Sequence, residues 1–119
     1  MRDVSQDLEQ WGAWASAENS GLDWPAVAAG FKGLIPHTKK SRIQCCDDDG
    51  IIIDGCVARL KKFRPAEYEL LIAHYVFEIS LRKIAKKRKC SDGTVRKDLQ
   101  TALGFIEGVM MMLSVKVGV

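Results

Sequence analysis

Apolar residues recur at three- and four-residue spacing along most of the chain, and no strand-like alternation continues through any segment. Such spacing is typical of amphipathic helices. In the first half of the chain it predicts a helix over Val4–Glu18 with Asp3 as its N-cap, a short helix opened by Trp24-Pro25 and reaching Phe31, and a helix that follows Asp48 or Asp49 and continues to Phe63. In the second half it predicts a helix begun by Pro65, a short helix over Ser80–Lys87 and a long helix from Asp92 to Leu113. The fold class expected is therefore all-α.

The same spacing predicts which faces are buried. In the helix that ends at Phe63, one stripe contains Ile52, Cys56, Leu60 and Phe63, and Ile53 and Val57 lie beside it. The Ile51–Ile53 run is also compatible with the start of a strand, but the stripe continues for three helical turns, which favours a helix. On the helix after Pro65, the face expected to be buried consists of Tyr68, Leu71, Ile72, Tyr75 and Val76. On the long last helix it consists of Val95, Leu99, Ala102, Leu103, Ile106 and Met110.

The two helices on either side of residues 88–90 have the organisation of a helix-turn-helix. Ser80 and Ser91 occupy the N-cap positions of the first and second helix, and serine is a favoured N-cap. Apolar residues lie where the helices must pack, at Leu81, Ile84 and Ala85 on the first and at Val95 and Leu99 on the second. The second helix of such a motif enters the DNA major groove. We therefore expect a small helical domain with a long C-terminal recognition helix.

Charge supports a DNA-binding motif, because eight of the sixteen residues from Arg82 to Lys97 are Lys or Arg. Arg96 and Lys97 are the expected donors to guanine or to nearby phosphates, Asp92 is a candidate acceptor from cytosine, and Thr94 is placed to meet a thymine methyl or a phosphate. Phosphate contacts are expected from Lys86, Lys87, Arg88 and Lys89, while Ser91 and Gly93 complete the surface near the bases. The alternative is a pair of packed helices whose basic face is merely solvated.

Charge is distributed unevenly along the 119 residues, although the net charge is only +3. Residues 1–58 contain five basic and nine acidic residues, residues 59–97 contain twelve and four, and residues 98–119 contain one and two. A basic block beside an acidic block is typical of a protein that binds a polyanion. The chain divides into an N-terminal, net-acidic helical segment over 1–58 and a helix-turn-helix segment over 59–119, and its length suits one compact unit.

Two groups of residues could in principle bind a metal ion. Asp47, Asp48 and Asp49, with Asp54 nearby, suggest a metal-dependent nuclease, but carboxylates there also suit a helix N-terminus. Four residues with zinc-binding side chains, His37, Cys45, Cys46 and Cys56, lack the spacing of a structural zinc site. We expect no metal, no cofactor and no enzymatic activity. The three tryptophans, Trp11, Trp14 and Trp24, are expected in the core, and some are candidates for a protein-binding surface.

The sequence shows no recognisable signal for export or membrane insertion, which favours a location inside the cell. The N-terminus has acidic residues and no apolar signal-peptide core, and no apolar run is long enough for a transmembrane helix. The four cysteines include no C-x-x-C pair, which suits a reducing compartment. We therefore expect a protein of the cytoplasm that does not enter the membrane.

Motifs along most of the chain resemble the late antiterminators of lambdoid phages, the Q proteins of the phage 21 type. The resemblance extends to about Gln100 and is carried by Leu8–Ala15, Ala29–Leu34, Cys45–Gly50, Ile53–Lys62, Arg64-Pro65, Glu67–Leu70, Ala73–Val76 and Ser80–Lys89. The helix-turn-helix is also similar to region 4 of sigma factors, which contacts both DNA and polymerase; that similarity implies DNA contacts at Ser91–Lys97.

The resemblance implies a function. Proteins of this family bind a double-stranded DNA element at the phage late promoter, engage paused host RNA polymerase that still carries its sigma factor, and make the enzyme read through terminators. It implies the cytoplasm of a host bacterium and leaves open whether a second copy binds the same DNA. Residues 1–58 are then the candidates for the polymerase contact. A conventional helix-turn-helix repressor or activator is the alternative within the same class.

Overall fold

The computed structural model describes residues 3–22, 24–36 and 42–116, and within these ranges the chain forms six helices and no strand. They are α1 (Val4–Trp14, continued by a π-helical turn over Ala15–Asn19), α2 (Pro25–Gly30), α3 (Asp47–Phe63), α4 (Pro65–Leu71, continued by a π-helical turn over Ile72–Val76), α5 (Leu81–Arg88) and α6 (Asp92–Lys116). The all-α prediction is confirmed. His37 of the hypothetical zinc set lies outside the described residues. No helix of the described part has the length and apolar content needed to cross a membrane.

Local signals in the sequence account for where the helices begin. Asp3 caps α1, and its carboxylate accepts a hydrogen bond from the Gln6 backbone N–H at 3.2 Å. Three acidic residues, Asp47–Asp49, form the first turn of α3, where the helix dipole favours negative charge. Pro65 is the first residue of α4, where the missing N–H breaks no intrahelical bond.

The first helix differs from its prediction in its last turn. The expected α-helix over Val4–Glu18 ends at Trp14, and Ala15–Asn19 continue as a π-helical turn. The Asn19 side chain donates a hydrogen bond to the Trp14 carbonyl at 2.9 Å, across this wider turn. A π-turn inserts one extra residue into the helical repeat, which simple apolar spacing does not reveal. The second π-turn, after α4, is closed by a hydrogen bond from the Phe77 N–H to the Ile72 carbonyl at 3.1 Å.

One hydrophobic core receives side chains from all six helices. Helix α1 lies against α3 and the π-turn after α4, and α6 packs on α3, α4 and α5. Leu8 of α1, Leu60 of α3 and Ile106 of α6 are completely buried in this cluster. Residue 58 lies inside α3, so the net-acidic segment and the helix-turn-helix segment share a helix and a core. Their separate functional roles remain a prediction.

The buried face of α3 is rotated from the one expected. Cys56 and Leu60 are buried as predicted, but Ile52 is 49% exposed and Phe63 is 66% exposed. Ile53 and Val57, expected beside the stripe, are buried instead. A shift of one residue turns a helix by about 100°, so the face packed against α1, α4 and α6 is centred on Ile53. The helix, rather than a strand, is confirmed at Ile51–Ile53.

The buried faces of α4 and α6 agree with their predictions. Tyr68, Leu71, Ile72, Tyr75 and Val76 are all buried. On α6, Val95, Leu99, Ala102 and Ile106 are buried, and Leu103 and Met110 are half-buried. A Cβ atom at Gly104 or Gly108 would meet nothing within 4 Å, so neither glycine is needed for close packing of α6.

Candidate nucleic-acid interface

Helices α5 and α6 and the short turn between them form the predicted helix-turn-helix. Ser80 Oγ accepts a hydrogen bond from the Lys83 N–H at 3.2 Å and caps α5. Ser91 Oγ accepts from the Thr94 N–H at the same distance and is placed to cap α6. Both caps are those expected from the sequence, and together they define where the chain leaves α5 and enters α6.

The turn is built around a lysine in the left-handed conformation. Lys89 has φ 58° and ψ 44°. Its N–H donates to the Lys86 carbonyl at 3.2 Å, and the Cys90 N–H donates to the Ala85 carbonyl at 3.0 Å. This is a Schellman motif, which usually places glycine at the left-handed residue. A side chain there costs about 1 kcal/mol, so Lys89 strains the backbone while it places a positive charge at the turn.

Packing between α5 and α6 determines which residues of the recognition helix face outward. Ile84 and Ala85 of α5 are buried, as are Val95 and Leu99 of α6. Because Val95 points into the core, the residues around it, Gly93, Thr94, Arg96 and Lys97, are exposed at the start of α6. An exposed first turn of this kind is the part of a recognition helix that reaches base edges.

The structure brings most of the predicted contact residues together on one surface. Eight of the ten are exposed: Lys86, Lys87, Lys89, Ser91, Gly93, Thr94, Arg96 and Lys97. Arg88 differs, because it is half-buried and one guanidinium nitrogen donates to the Ala66 carbonyl at 3.0 Å. Asp92 is half-buried and lies 3.8 Å from Arg82, a pair too exposed on the Arg82 side to stabilise the fold much.

Two further basic residues belong to this surface and were not among the predicted contacts. Arg82 and Lys83 are exposed in the first turn of α5. In a helix-turn-helix the first helix crosses the DNA backbone, so these residues are candidates for phosphate contacts. The signal was present in the sequence, since both belong to the same basic run.

Two of the four acidic residues suspected of nuclease chemistry, Asp54 and Asp47, have hydrogen-bond partners inside the fold. Asp54 accepts a hydrogen bond from Trp11 Nε1 at 3.3 Å and another from the Gly21 N–H at 3.2 Å, and it is also bonded to the Ser20 hydroxyl. Asp47 accepts from Trp14 Nε1 at 2.8 Å. Across the described ranges, no three or more His, Cys, Asp or Glu side chains are grouped so as to hold a metal ion. These carboxylates therefore position two tryptophans.

All three tryptophans were expected in the core, and two of them, Trp11 and Trp14, are core residues. Trp11 and Trp14 are buried, and only their indole N–H groups meet polar partners. Trp24 is half-buried and packs edge-on against Trp11, with ring centroids 6.4 Å apart. Of the three, Trp24 alone is partly exposed to solvent.

The cysteines do not form a site. Cys56 is buried, Cys46 is exposed, and Cys45 and Cys90 are half-buried. Burial raises the pKa of the Cys56 thiol above its ordinary value. Burial, and then the nearby Asp49 carboxylate, also raise the pKa of Cys45. Both thiols are therefore protonated and weakly nucleophilic at neutral pH.

The fold and this surface define an all-helical protein with a basic, solvent-facing helix-turn-helix. The model of the phage antitermination protein Q family matches residues 1–118, and the chain belongs to that family. Two relatives align over 116 residues. The prophage antitermination protein Q homolog QuuD of Escherichia coli K-12 is 49% identical, covering 98% of this chain and 91% of the relative. Antitermination protein Q of Escherichia phage 933W is 47% identical, covering 98% and 81%.

Solved structures share the fold. One structure of the phage 21 transcription antitermination factor Q superposes with a TM-score of 0.69 at 20% sequence identity, covering 98% of this chain and 93% of that one. A second, of the same factor in complex with its binding-element DNA, has a TM-score of 0.66 at 20% identity, covering 93% and 91%. At this identity the likeness establishes the fold.

Proposed function

We propose that this chain is a phage transcription antiterminator that acts in the cytoplasm of a host bacterium. It binds a double-stranded DNA element at the late promoter, engages host RNA polymerase with its sigma factor and makes the enzyme read through terminators. It acts through binding and not as an enzyme. The observation that carries the proposal is the exposed basic helix-turn-helix in a member of the antitermination protein Q family.

The DNA contact is assigned to the first turn of α6 and the turn before it. Arg96 and Lys97 reach base edges, and the exposed lysines at 86, 87 and 89 neutralise phosphates. Ser91, Gly93 and Thr94 allow the backbone to approach the groove, and Asp92 selects against bases that lack a donor. The related phage 21 factor, which has the same fold, was solved with its binding-element DNA, which supports DNA binding by this chain.

The polymerase contact is assigned to the net-acidic segment over residues 1–58. A repressor needs little more than its DNA-binding helices, whereas this chain devotes half of its length to a segment outside the motif. The half-buried Trp24 ring offers an aromatic contact, of a kind enriched in protein interfaces. The number of copies on the DNA, one or two, is left to experiment.

Transcription with purified polymerase tests the proposal. The template carries the late promoter, the candidate DNA element and a terminator downstream. We expect the full chain to increase read-through and to remain with elongation complexes in a pull-down. An Arg96→Ala, Lys97→Ala double variant is expected to lose both effects on this template. Binding to the element without any read-through would replace the antiterminator by the repressor alternative, and magnesium-dependent cleavage of the template would indicate a nuclease.

A further inference from the structure

An aromatic ring is exposed at the centre of a second basic cluster, outside the helix-turn-helix. Four of the six residues over 59–64 are basic, and Phe63 between them is 66% exposed. We call Arg59, Lys61, Lys62 and Phe63 the Phe63 platform; all four are exposed at the C-terminal end of α3. A phenyl ring left in water forgoes the stabilisation of burial, and its position among cations suits a ligand that has both a flat apolar face and negative charge.

The charges of the platform are not neutralised by any carboxylate in the described part of the chain, although the Lys61 ammonium lies 5.6 Å from the centre of the Tyr68 ring. The ion pairs formed among the described residues include Arg64 with Glu67, at 2.9 Å, but none involves Arg59, Lys61 or Lys62. The Lys62 ammonium lies 5.6 Å from the centre of the Phe63 ring. The ammonium lies over the ring, so it must move aside when a base stacks there, and it then remains close enough to meet the adjacent phosphate.

A second ring supports the first. The half-buried Phe105 of α6 lies 6.5 Å from Phe63 between ring centroids, with the planes tilted by 40°. Phe105 follows Asp92 by thirteen residues, which is about 20 Å along α6. Phe105, against which the platform packs, is thus well separated from the turn that enters the DNA groove. We therefore expect that both surfaces can be occupied at once.

We propose that the Phe63 platform binds single-stranded nucleic acid, with a base stacked on Phe63 and the adjacent phosphates on Arg59, Lys61 and Lys62. An unpaired base has a free face that can stack on an aromatic ring, and a basic surface beside the ring holds the backbone. The bases of a duplex are already stacked on each other, and its phosphates need only cations. The proposed function supplies two sources of such a strand, the nascent RNA and the melted promoter DNA; the binding itself does not depend on it.

Fluorescence anisotropy with short labelled oligonucleotides tests the proposal on the full chain. The probes are a uridine RNA, a thymidine DNA and a duplex that carries the candidate promoter element. Stacking on an aromatic ring contributes to the affinity for each bound base, so we expect Phe63→Ala to weaken single-strand binding roughly tenfold, or about 1.4 kcal/mol, and to leave duplex binding unchanged. Phe63→Leu, which keeps the apolar bulk without the flat ring, should lose the same affinity, whereas Phe63→Trp should retain it and show fluorescence quenching with either single strand.

The contribution of the platform's lysines is measured by the salt dependence of single-strand binding. Replacing Lys61 and Lys62 by Gln should reduce the salt dependence of single-strand binding by roughly 0.7 in log–log slope for each phosphate that is no longer neutralised.

Tighter binding of RNA than of DNA assigns the transcript as the source of the strand, and tighter binding of DNA assigns the melted promoter strand. Equal affinity of the wild type and Phe63→Ala for both single strands overturns the proposal. If Phe63→Ala also loses read-through while it still binds single strands, the ring contacts a protein instead. Failure of read-through in the wild type bears on the proposed function alone.

Discussion

The tryptophan region and the helix-turn-helix use charge in opposite ways. Around Trp11 and Trp14, the carboxylates of Asp54 and Asp47 accept hydrogen bonds from the indole N–H groups, and Arg42 donates to the Tyr75 carbonyl at 2.7 Å while pairing with Glu78 at 3.4 Å. On α5 and at the start of α6, the lysines extend into solvent. Charge in the first region maintains the fold, whereas charge in the second is free to bind a polyanion. Substitutions in the tryptophan region should therefore lower the free energy of unfolding, whereas substitutions in the helix-turn-helix should lower the affinity for DNA.

The largest effect is expected where two stretches of backbone meet. A Cβ atom on Gly12 of α1 would collide with the Tyr75 carbonyl group, which belongs to the π-turn and cannot rotate away. We expect Gly12→Ala to lower the free energy of unfolding by about 3 kcal/mol. Gly104→Ala, on the exposed face of α6 with nothing within 4 Å, should raise it by about 0.5–1 kcal/mol. Urea denaturation measures both, and equal effects of the two would mean that α1 does not approach the π-turn so closely.

The next effect concerns the carboxylate that joins α3 to α1. Asp54→Ala removes an acceptor used by the Trp11 indole, the Ser20 hydroxyl and the Gly21 N–H. Leaving such donors without a partner costs about 2–3 kcal/mol in unfolding free energy. Asp48→Ala, an exposed neighbour in the first turn of α3, should cost only about 0.5 kcal/mol. If Asp54→Ala keeps its melting temperature but loses a magnesium-dependent activity, the structural role assigned to Asp54 is wrong.

The recognition helix should give the reverse result, a loss of DNA binding without a loss of stability. Arg96→Ala is expected to weaken binding to the promoter element by about 1–3 kcal/mol and to relax the preference at one base pair. Gln100→Ala, exposed one turn further along the same face, is the uncharged control and should bind like the wild type. Gel shifts on matched and scrambled duplexes measure this. Unchanged binding by the Arg96→Ala, Lys97→Ala double variant would remove the assignment of α6 as the recognition helix.

The smallest effect is expected at Lys89, where one substitution should change both the free energy of unfolding and the salt dependence of DNA binding. Lys89→Gly relieves the left-handed strain and should raise the free energy of unfolding by about 1 kcal/mol. It also removes one phosphate contact, so the slope of log affinity against log salt should become less steep by roughly one unit. Lys87→Ala should change the salt slope equally without stabilising the fold. A Lys89→Gly protein that is more stable and binds DNA with an unchanged slope would show that this lysine does not contact the phosphates.

Local signals in the sequence determined most of the helix starts and the helix-turn-helix itself. The side chains of Asp3, Ser80 and Ser91 accept from a backbone N–H three residues later, as expected for N-caps. Cap and turn geometry depend on a few adjacent residues, so they can be recognised without the rest of the fold. The motifs that indicate the antitermination family are likewise continuous segments of chain. The roles assigned to the individual DNA-contacting residues remain predictions.

Tertiary structure decided the orientation of α3 and the partners of its charges. Ile52 and Ile53 are the same amino acid, and only packing against α1, α4 and α6 decides that Ile53 is buried and that Phe63 is exposed. Asp54 and Trp11 are 43 residues apart, and Arg88 and the Ala66 carbonyl are 22 apart. Pairings over such separations arise from how helices pack, and periodicity within one helix contains no information about them. The sequence therefore determined the helices and the DNA-binding motif, whereas the packed fold determined which charged side chains remain available to a partner.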